Sequence, residues 1–233
     1  MCIDILTLFP HIFDSYLNES ILKRAQEKKL VSIHTHNIRD EATDKHHTAD
    51  DRPYGGGAGM VMIAEPILKT VASITKGSDV KKAKRKVVIL SAKGKPFTQK
   101  TAYRWAKQYD QLILISSRYE GIDERVKTAL KAEEVSIGPY VTTDGDVAAM
   151  VLISAVARLV PGVIRLASLA EESHWDALVK EEAEDNGELE YPHYTRPEVL
   201  KWKGKKYRVP KLLLTGDHKK IELWRKSKRK KKT

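Results

Sequence analysis

A chain of 233 residues, 41% apolar and 31% charged, is long enough to bury a core of its own, and its single cysteine excludes an internal disulfide framework or a Cys-rich zinc site. No run of about eighteen residues escapes charges or breakers, and the opening MCIDILTLFPHIFD lacks the basic start and cleavage site of a secretory signal, so a cytoplasmic protein without a membrane span is expected. The net charge of +11 is concentrated: residues 201–233 hold 15 basic and 2 acidic side chains, whereas 171–200 hold 10 acidic and 2 basic ones. Such a basic end suits a polyanion, because each cation that neutralises a phosphate also releases a counterion. The last nine residues, RKSKRKKKT, read equally as a solvated tail.

In chain order, CIDILTL reads as a strand. Next comes a helical segment in which Phe13, Leu17, Ile21 and Ala25 recur every fourth residue, then the strand-like LVSIHTH. A glycine-rich loop precedes a helix near Glu65–Ile74, a β-branched run Val87–Ser91, a helix near Thr98–Lys107 and an apolar run Gln111–Ser116. Alternating strands and helices predict an α/β fold with a mostly parallel sheet covered on both faces, whose ligand sits beyond the strand ends, in the loops after Leu90 and Ile115. Residues 145–160 are apolar nearly all round and predict a helix buried on every side, with Arg158 inside the pattern. An arginine there is either paired for structure or held for an anionic ligand or transition state. Pro161-Gly162 ends that helix, the stretch from about Ala167 to Glu190 reads as an acidic linker with a short helical piece, and the remainder reads as a small, mainly helical second domain.

The segment DDRPYGGGAGMVM, Asp50 to Met62, packs four glycines into five positions, which frees the backbone for positive φ and close approach to a ligand. It matches neither a dinucleotide fingerprint nor a P-loop. SRYEGIDERV (Ser117 to Val126) and SIGPYVTTDGDVAAM (Ser136 to Met150) read singly as turn chemistry.

These segments, with LFPHIF, DKHHTADDRPYGGGAGMVM, AAMVLISAVARLVPGV, PHYTRPEVL and VPKLLLTGDH followed by Trp224-Arg225, occur over about 225 of 233 residues in the order of a known family. The chain resembles bacterial tRNA (guanine-N(1)-)-methyltransferases of the TrmD type, within the SPOUT superfamily. The resemblance implies a homodimer with a deep trefoil knot in residues 1–163, a linker over 164–176 and a basic, helical tRNA-binding domain over 177–233. S-adenosylmethionine is implied as co-substrate, held by Ser91, Gly94, Ser117, Tyr119, Glu120, Ile137, Gly138, Pro139, Tyr140, Val141 and Thr142. Asp51, Arg52, Tyr54, Gly59, His193 and Arg196 are implied to meet the tRNA anticodon stem-loop. The implied target is ring nitrogen 1 of the guanosine just 3′ of the anticodon, with Mg2+ as a possible aid and no resident metal site.

Ring nitrogen 1 of guanine carries a proton, so a carboxylate must take it as the methyl arrives, and a fixed guanidinium can offset the charge that builds on the exocyclic oxygen. By the resemblance Arg158 is that guanidinium and Glu172 the base, standing where relatives carry aspartate, with Asp176 the runner-up. Other departures are Ala92 for proline, Ser117 for glycine and Thr143-Asp144-Gly145-Asp146 for Ser-Gly-Gly-Glu. Asp144 is expected to strain a glycine position, Ser117 to narrow the cofactor loop, and the lysine-rich end to supply phosphate contacts. The alternatives are a catalytically impaired RNA-binding member of the family and, from another class, a metal-dependent nuclease built on Asp50, Asp51, Asp144 and Asp146.

Overall fold

The computed structural model describes residues 1–76, 83–165 and 188–231, and the chain divides into two compact units, Met1–Ile164 and Arg165–Thr233. In the first unit, strands β1 (Cys2–Thr7), β2 (Ser32–Asn37), β5 (Arg85–Pro96), β6 (Gln111–Ser116) and β7 (Glu133–Ser136) form one sheet in the order β2-β1-β6-β5-β7. Every neighbouring pair in it is parallel. The central strand β6 is buried along its whole length, as its unbroken apolar run requires of a strand covered on both faces.

The two-residue period of the strands divides their side chains between two cores. Leu112 and Leu114 join Ile3, Ile5, Val88 and Leu90 on one face, under helices α1 (Asp14–Leu17), α2 (Ser20–Glu27), α4 (Gln99–Gln108) and α6 (Asp146–Ala157). Ile113 and Ile115 join Leu6 and Ile89 on the other, under α3 (Ala64–Ile74) and α5 (Glu124–Leu130). A further short antiparallel pair, β3 (Asp50–Asp51) with β4 (Val61–Met62), closes the base of the glycine-rich loop. Among the described residues no helix is long and apolar enough to cross a membrane.

Four expectations need correction. The recurrence Phe13, Leu17, Ile21, Ala25 is not one helix: the chain breaks after α1, Ser20 takes φ of 52°, and α2 restarts with Leu22 in the core and Ile21 40% exposed. Nor does β5 end near Leu90. It continues to Pro96 through an irregularity between Leu90 and Lys95, because both residues pair with Val135 and the intervening segment must bulge. Helix α6 buries Ala148, Ala149, Leu152, Ile153, Val156 and Ala157 but leaves Val147 and Val151 exposed, so within one chain it is covered on one side only.

The second unit is not mainly helical in its described part. It holds one long helix, α7 (His218–Lys228), an antiparallel hairpin of β9 (Val199–Trp202) and β10 (Lys205–Arg208), and a pairing of β8 (Glu188–Leu189) with β11 (Lys230–Lys231). Lys203 and Gly204 both adopt positive φ, the two-residue turn that suits the twist of a hairpin, and Trp202 and Tyr207 flank it with strand-favouring side chains. The basic end is likewise structured at its start, since Arg225 to Lys228 belong to α7. The stretch 166–187, which holds most of the expected linker, lies outside the described residues.

Asp4 is buried in β1 and accepts hydrogen bonds from His36 Nε2 at 2.7 Å, Gln111 Nε2 at 2.8 Å and the Cys2 thiol at 3.3 Å. Burial alone would raise its pKa, but these donors outweigh burial and hold it below the ordinary carboxylate value. Its contribution to stability is therefore complete above the unfolded value of about 3.9 and is lost as pH falls through the lower folded value. Asp4→Asn is expected to lower unfolding free energy at neutral pH by about 1–3 kcal/mol and to flatten the stability profile below about pH 4, as measured by urea denaturation across pH.

Candidate functional site

Three segments distant in sequence meet at the carboxyl ends of β5, β6 and β7: the β5 bulge around Ser91 to Lys93, the turn Ser117 to Asp123 after β6, and the loop Ile137 to Gly145 after β7. They enclose a cavity of about 370 Å3 whose wall mixes Leu90, Ile137, Val141 and Ala148 with Ser117, Arg118, Glu120 and Thr142. Ligand clefts of roughly 300–1,000 Å3 are typical of sites for small molecules.

The turn is rigid. Glu120 N donates to Met60 O at 3.0 Å, Met62 N to Gly121 O at 2.9 Å and Asp123 N to Met62 O at 3.1 Å, so β4 grips it from the glycine-rich loop. Tyr119 takes φ of 57°, and the Ser117 hydroxyl donates to Leu90 O at 2.5 Å. Ser117 is thus engaged with the end of β5. Gly59 lies directly against the Glu120 side chain and adopts φ of 80°, two reasons why a side chain there would not fit.

Arg118 organises the junction. Its Nη2 donates to Asp146 Oδ2 at 2.7 Å and lies 3.5 Å from Asp144 Oδ2, and its guanidinium covers the Phe9 ring at 4.2 Å. Asp146 is fully buried and accepts a second hydrogen bond from Thr7 Oγ1 at 2.8 Å, while Thr7 Oγ1 accepts one from Phe9 N at 3.0 Å. Asp144 does not occupy the left-handed region. Its Oδ1 accepts from Asp146 N at 2.9 Å and Val147 N at 3.3 Å, which satisfies backbone donors that the first turn of α6 leaves unpaired. The expected strain is absent because the tight position is Gly145, whose added Cβ would meet Ser117 N at 2.7 Å.

At the cavity's outer rim Lys93 lies 3.2 Å from Glu134 and 3.4 Å from Glu124, and Lys127 lies 2.7 Å from Glu134 and 3.1 Å from Glu124. The bond to Glu134 raises the pKa of Lys93, with burial opposing it, and hydrogen bonds to Glu134 and Glu124 raise that of Lys127. The Lys127 hydrogen bond chiefly holds Glu124 below the ordinary glutamate value.

Of the residues expected to hold the cofactor, Ser91, Ser117, Tyr119, Glu120, Ile137, Tyr140, Val141 and Thr142 line the cavity. Gly94, Gly138 and Pro139 do not: Gly94 is pressed against the Glu134 and Val135 backbone of β7, and Gly138 against the Tyr140 ring. Gly59 reaches the cavity turn, whereas Asp51, Arg52 and Tyr54 stand exposed on the glycine-rich loop, Tyr54 at 99%. Arg158 caps the C-terminal end of α6, about 20 Å along the helix from Gly145 at 1.5 Å per residue, so one chain does not bring it to its own cavity. Glu172 and Asp176 lie outside the described residues. His193 and Arg196 are exposed in the second unit, where His193 Nε2 lies 3.5 Å from Glu190. The four aspartates of a nuclease site do not converge: Asp144 and Asp146 face Arg118, and Asp50 lies 3.8 Å from Arg39. Arg118, Asp146 and the Lys93 rim carry no sequence signal beyond their place in the turn motifs, since their partners are far off in the chain.

The sheet and cavity define a parallel α/β protein with a cavity of small-ligand size beyond its strand ends. A family model described as tRNA (Guanine-1)-methyltransferase TrmD matches residues 1–233. The tRNA (guanine-N(1)-)-methyltransferase of Carboxydothermus hydrogenoformans is 52% identical over 227 residues, 97% of this chain and 81% of the relative. Those of Chloroflexus aggregans and Thermomicrobium roseum are each 50% identical, over 100% and 97% of this chain and 84% and 77% of their own lengths. The chain belongs to the TrmD family of tRNA (guanine-1)-methyltransferases, and it is an enzyme of that activity.

Replacing Asp146 by Ala leaves the Arg118 guanidinium with the longer carboxylate contact to Asp144 and the Phe9 ring. We expect a loss of about 3 kcal/mol in urea denaturation, with substantial recovery in Asp146→Glu.

Proposed function

We propose that the cavity binds S-adenosylmethionine, that the acceptor is ring nitrogen 1 of the guanosine immediately 3′ of the anticodon, and that the enzyme works in the cytoplasm as a homodimer. The observation that carries the reading is the convergence of three separate motif segments on one strand-end cavity. The lining suits the co-substrate: apolar Leu90, Ile137 and Val141 can take the adenine, and Arg118 Nε is a buried donor without a hydrogen-bond partner among the described residues. When bound, S-adenosylmethionine supplies the methyl group from a sulfonium centre that already activates it.

The chain's own residues then handle the proton and the charge. A carboxylate from the segment after α6, Glu172 with Asp176 as runner-up, takes the proton from guanine nitrogen 1. The Arg158 guanidinium offsets the charge that develops on the exocyclic oxygen, worth about 3 kcal/mol for a single well-placed donor. Glu124, Glu134, Asp144 and Asp146 around the cavity pair with Lys93, Lys127 and Arg118, and no group of three metal-ligating side chains gathers among the described residues. Carboxylates already paired with cations in this way do not suit Mg2+.

A second copy is needed because Arg158 and the cavity occupy opposite ends of α6. The exposed Val147 and Val151, together with partly exposed Ser154 and Arg158, follow helical spacing on one face. Pairing two such faces about a two-fold axis perpendicular to the helix runs the helices in opposite directions and brings each Arg158 toward the other copy's cavity. A trefoil knot is inferred for the first unit: after β7, at the sheet edge beside β5, the 137–145 loop returns past the end of β6, where Gly145 N donates to Ser117 O at 2.8 Å, and α6 then packs on β1 and β6. Residues 1–163 are assigned to cofactor binding, 164–176 to the linker with the base and 177–233 to tRNA, with Asp51, Arg52, Tyr54, Gly59, His193 and Arg196 on the RNA side.

The test is transfer of labelled methyl groups to a tRNA transcript carrying guanosine 3′ of the anticodon. Arg158→Ala is expected to lower kcat by about 10²–10³-fold, and Glu172→Gln to abolish transfer while cofactor binding persists. Full activity in Glu172→Gln with loss only in Asp176→Asn would move the base to Asp176. A wild-type protein that binds cofactor and RNA but methylates nothing would leave an RNA-binding member of the family. Val151→Arg is expected to yield monomers by light scattering and to lose activity with them. Lys/Arg→Ala changes within 201–232 should weaken tRNA binding and reduce its salt slope by about one unit per phosphate contact removed.

A further inference from the structure

The second unit contains a cleft of its own, about 590 Å3, between the segment Tyr191 to Tyr194 and one side of α7. Its aromatic content is arranged in two layers. Tyr191 is buried, with the His193 ring 4.6 Å from it and the Arg225 guanidinium 5.1 Å above it, so its faces are engaged. Tyr194 is different: the residue is 49% exposed and its ring is backed by Trp224, with centroids 6.3 Å apart and planes tilted by 57°. Beside this ring α7 contributes Arg225 and Lys226 to the cleft wall, with Glu222 pairing with Lys226 at 3.0 Å.

We infer that this cleft is a seat for one unpaired RNA base, distinct from the methyl-acceptor base, which stacks on the exposed face of Tyr194 while α7 cations neutralise the flanking phosphates. The inference rests on the tRNA reading above and adds a subsite to it. An open aromatic face beside guanidinium groups is the chemistry that recognises splayed single-stranded nucleotides, because every base has a π-face and every nucleotide a negative charge. An anticodon loop presents unpaired bases next to the acceptor, whereas an acidic peptide would use the cations and leave the ring idle. Trp224 acts as a positioning residue, since its ring packs against that of Tyr194.

The experiment uses the full chain, wild type and the variants Tyr194→Ala, Tyr194→Phe and Trp224→Ala. Dissociation constants are measured for a tRNA transcript and for a series of anticodon stem-loops in which each loop nucleotide is made abasic in turn. Tyr194→Ala is expected to raise the dissociation constant by about ten- to hundredfold and KM for tRNA by more than kcat falls, and Tyr194→Phe to bind like wild type. One abasic position should cost wild type as much as Tyr194→Ala does and cost Tyr194→Ala almost nothing more. Two results would overturn the inference: unchanged RNA affinity in Tyr194→Ala, or losses that add at every abasic position. An acidic peptide competing with RNA equally well on wild type and Tyr194→Ala would instead make the cleft a charge surface. If wild type itself neither binds nor methylates tRNA, the functional reading fails rather than the subsite alone.

Discussion

The pairing of Arg118 with Asp146 is the constraint on which the cavity depends. A fully buried carboxylate is tolerable only with its charge and lone pairs satisfied, and Asp146 meets that condition by drawing Arg118 from the end of β6 and Thr7 from the end of β1 to the start of α6. Three chain segments are held at one point, and the cavity opens beside it. The same pair brings the Arg118 guanidinium over Phe9, so a cation and an aromatic ring from opposite parts of the sequence close the junction.

Around that point the backbone provides the shape and side chains provide the polarity. The bulge in β5 exists because Leu90 and Lys95 compete for one partner in β7, and Gly94 allows the strand to press on the β7 backbone. The turn after β6 is held by main-chain bonds to β4 and Met60, which tie it to the glycine-rich loop. Gly59 against Glu120 is the contact where the two meet.

Helix α6 links this cavity to the functional reading. Its N-terminal end carries Asp146 and its C-terminal end Arg158, so the residue assigned to charge stabilisation and the cavity assigned to the cofactor are separated by the helix length. In the proposed homodimer, the apolar side left open in one chain is the face that a second copy covers. Uniform apolarity in the sequence therefore had two causes, a core on one side and an uncovered surface on the other.

The strands and most of the helices were legible from local pattern, because burial on both faces produces the continuous apolar run of Gln111–Ser116 and one-sided burial the periodicity of α3 and α4. The motif order likewise made the family legible, and its full-length match agrees. Where local pattern misled, a tertiary contact had decided the outcome. Leu22 rather than Ile21 enters the core after the break at Ser20, β5 runs on past Leu90 because β7 pairs with it twice, and the Lys203-Gly204 turn makes a hairpin where helices were expected. The sequence by itself determined the elements, the family and the types of group available for chemistry. Only the tertiary structure decided that Arg118 belongs to Asp146, that Arg158 stands far from the cavity of its own chain and that Tyr194 stays half exposed. Periodicity is a property of neighbours along the chain, whereas charge pairing and exposure depend on residues that only folding brings together.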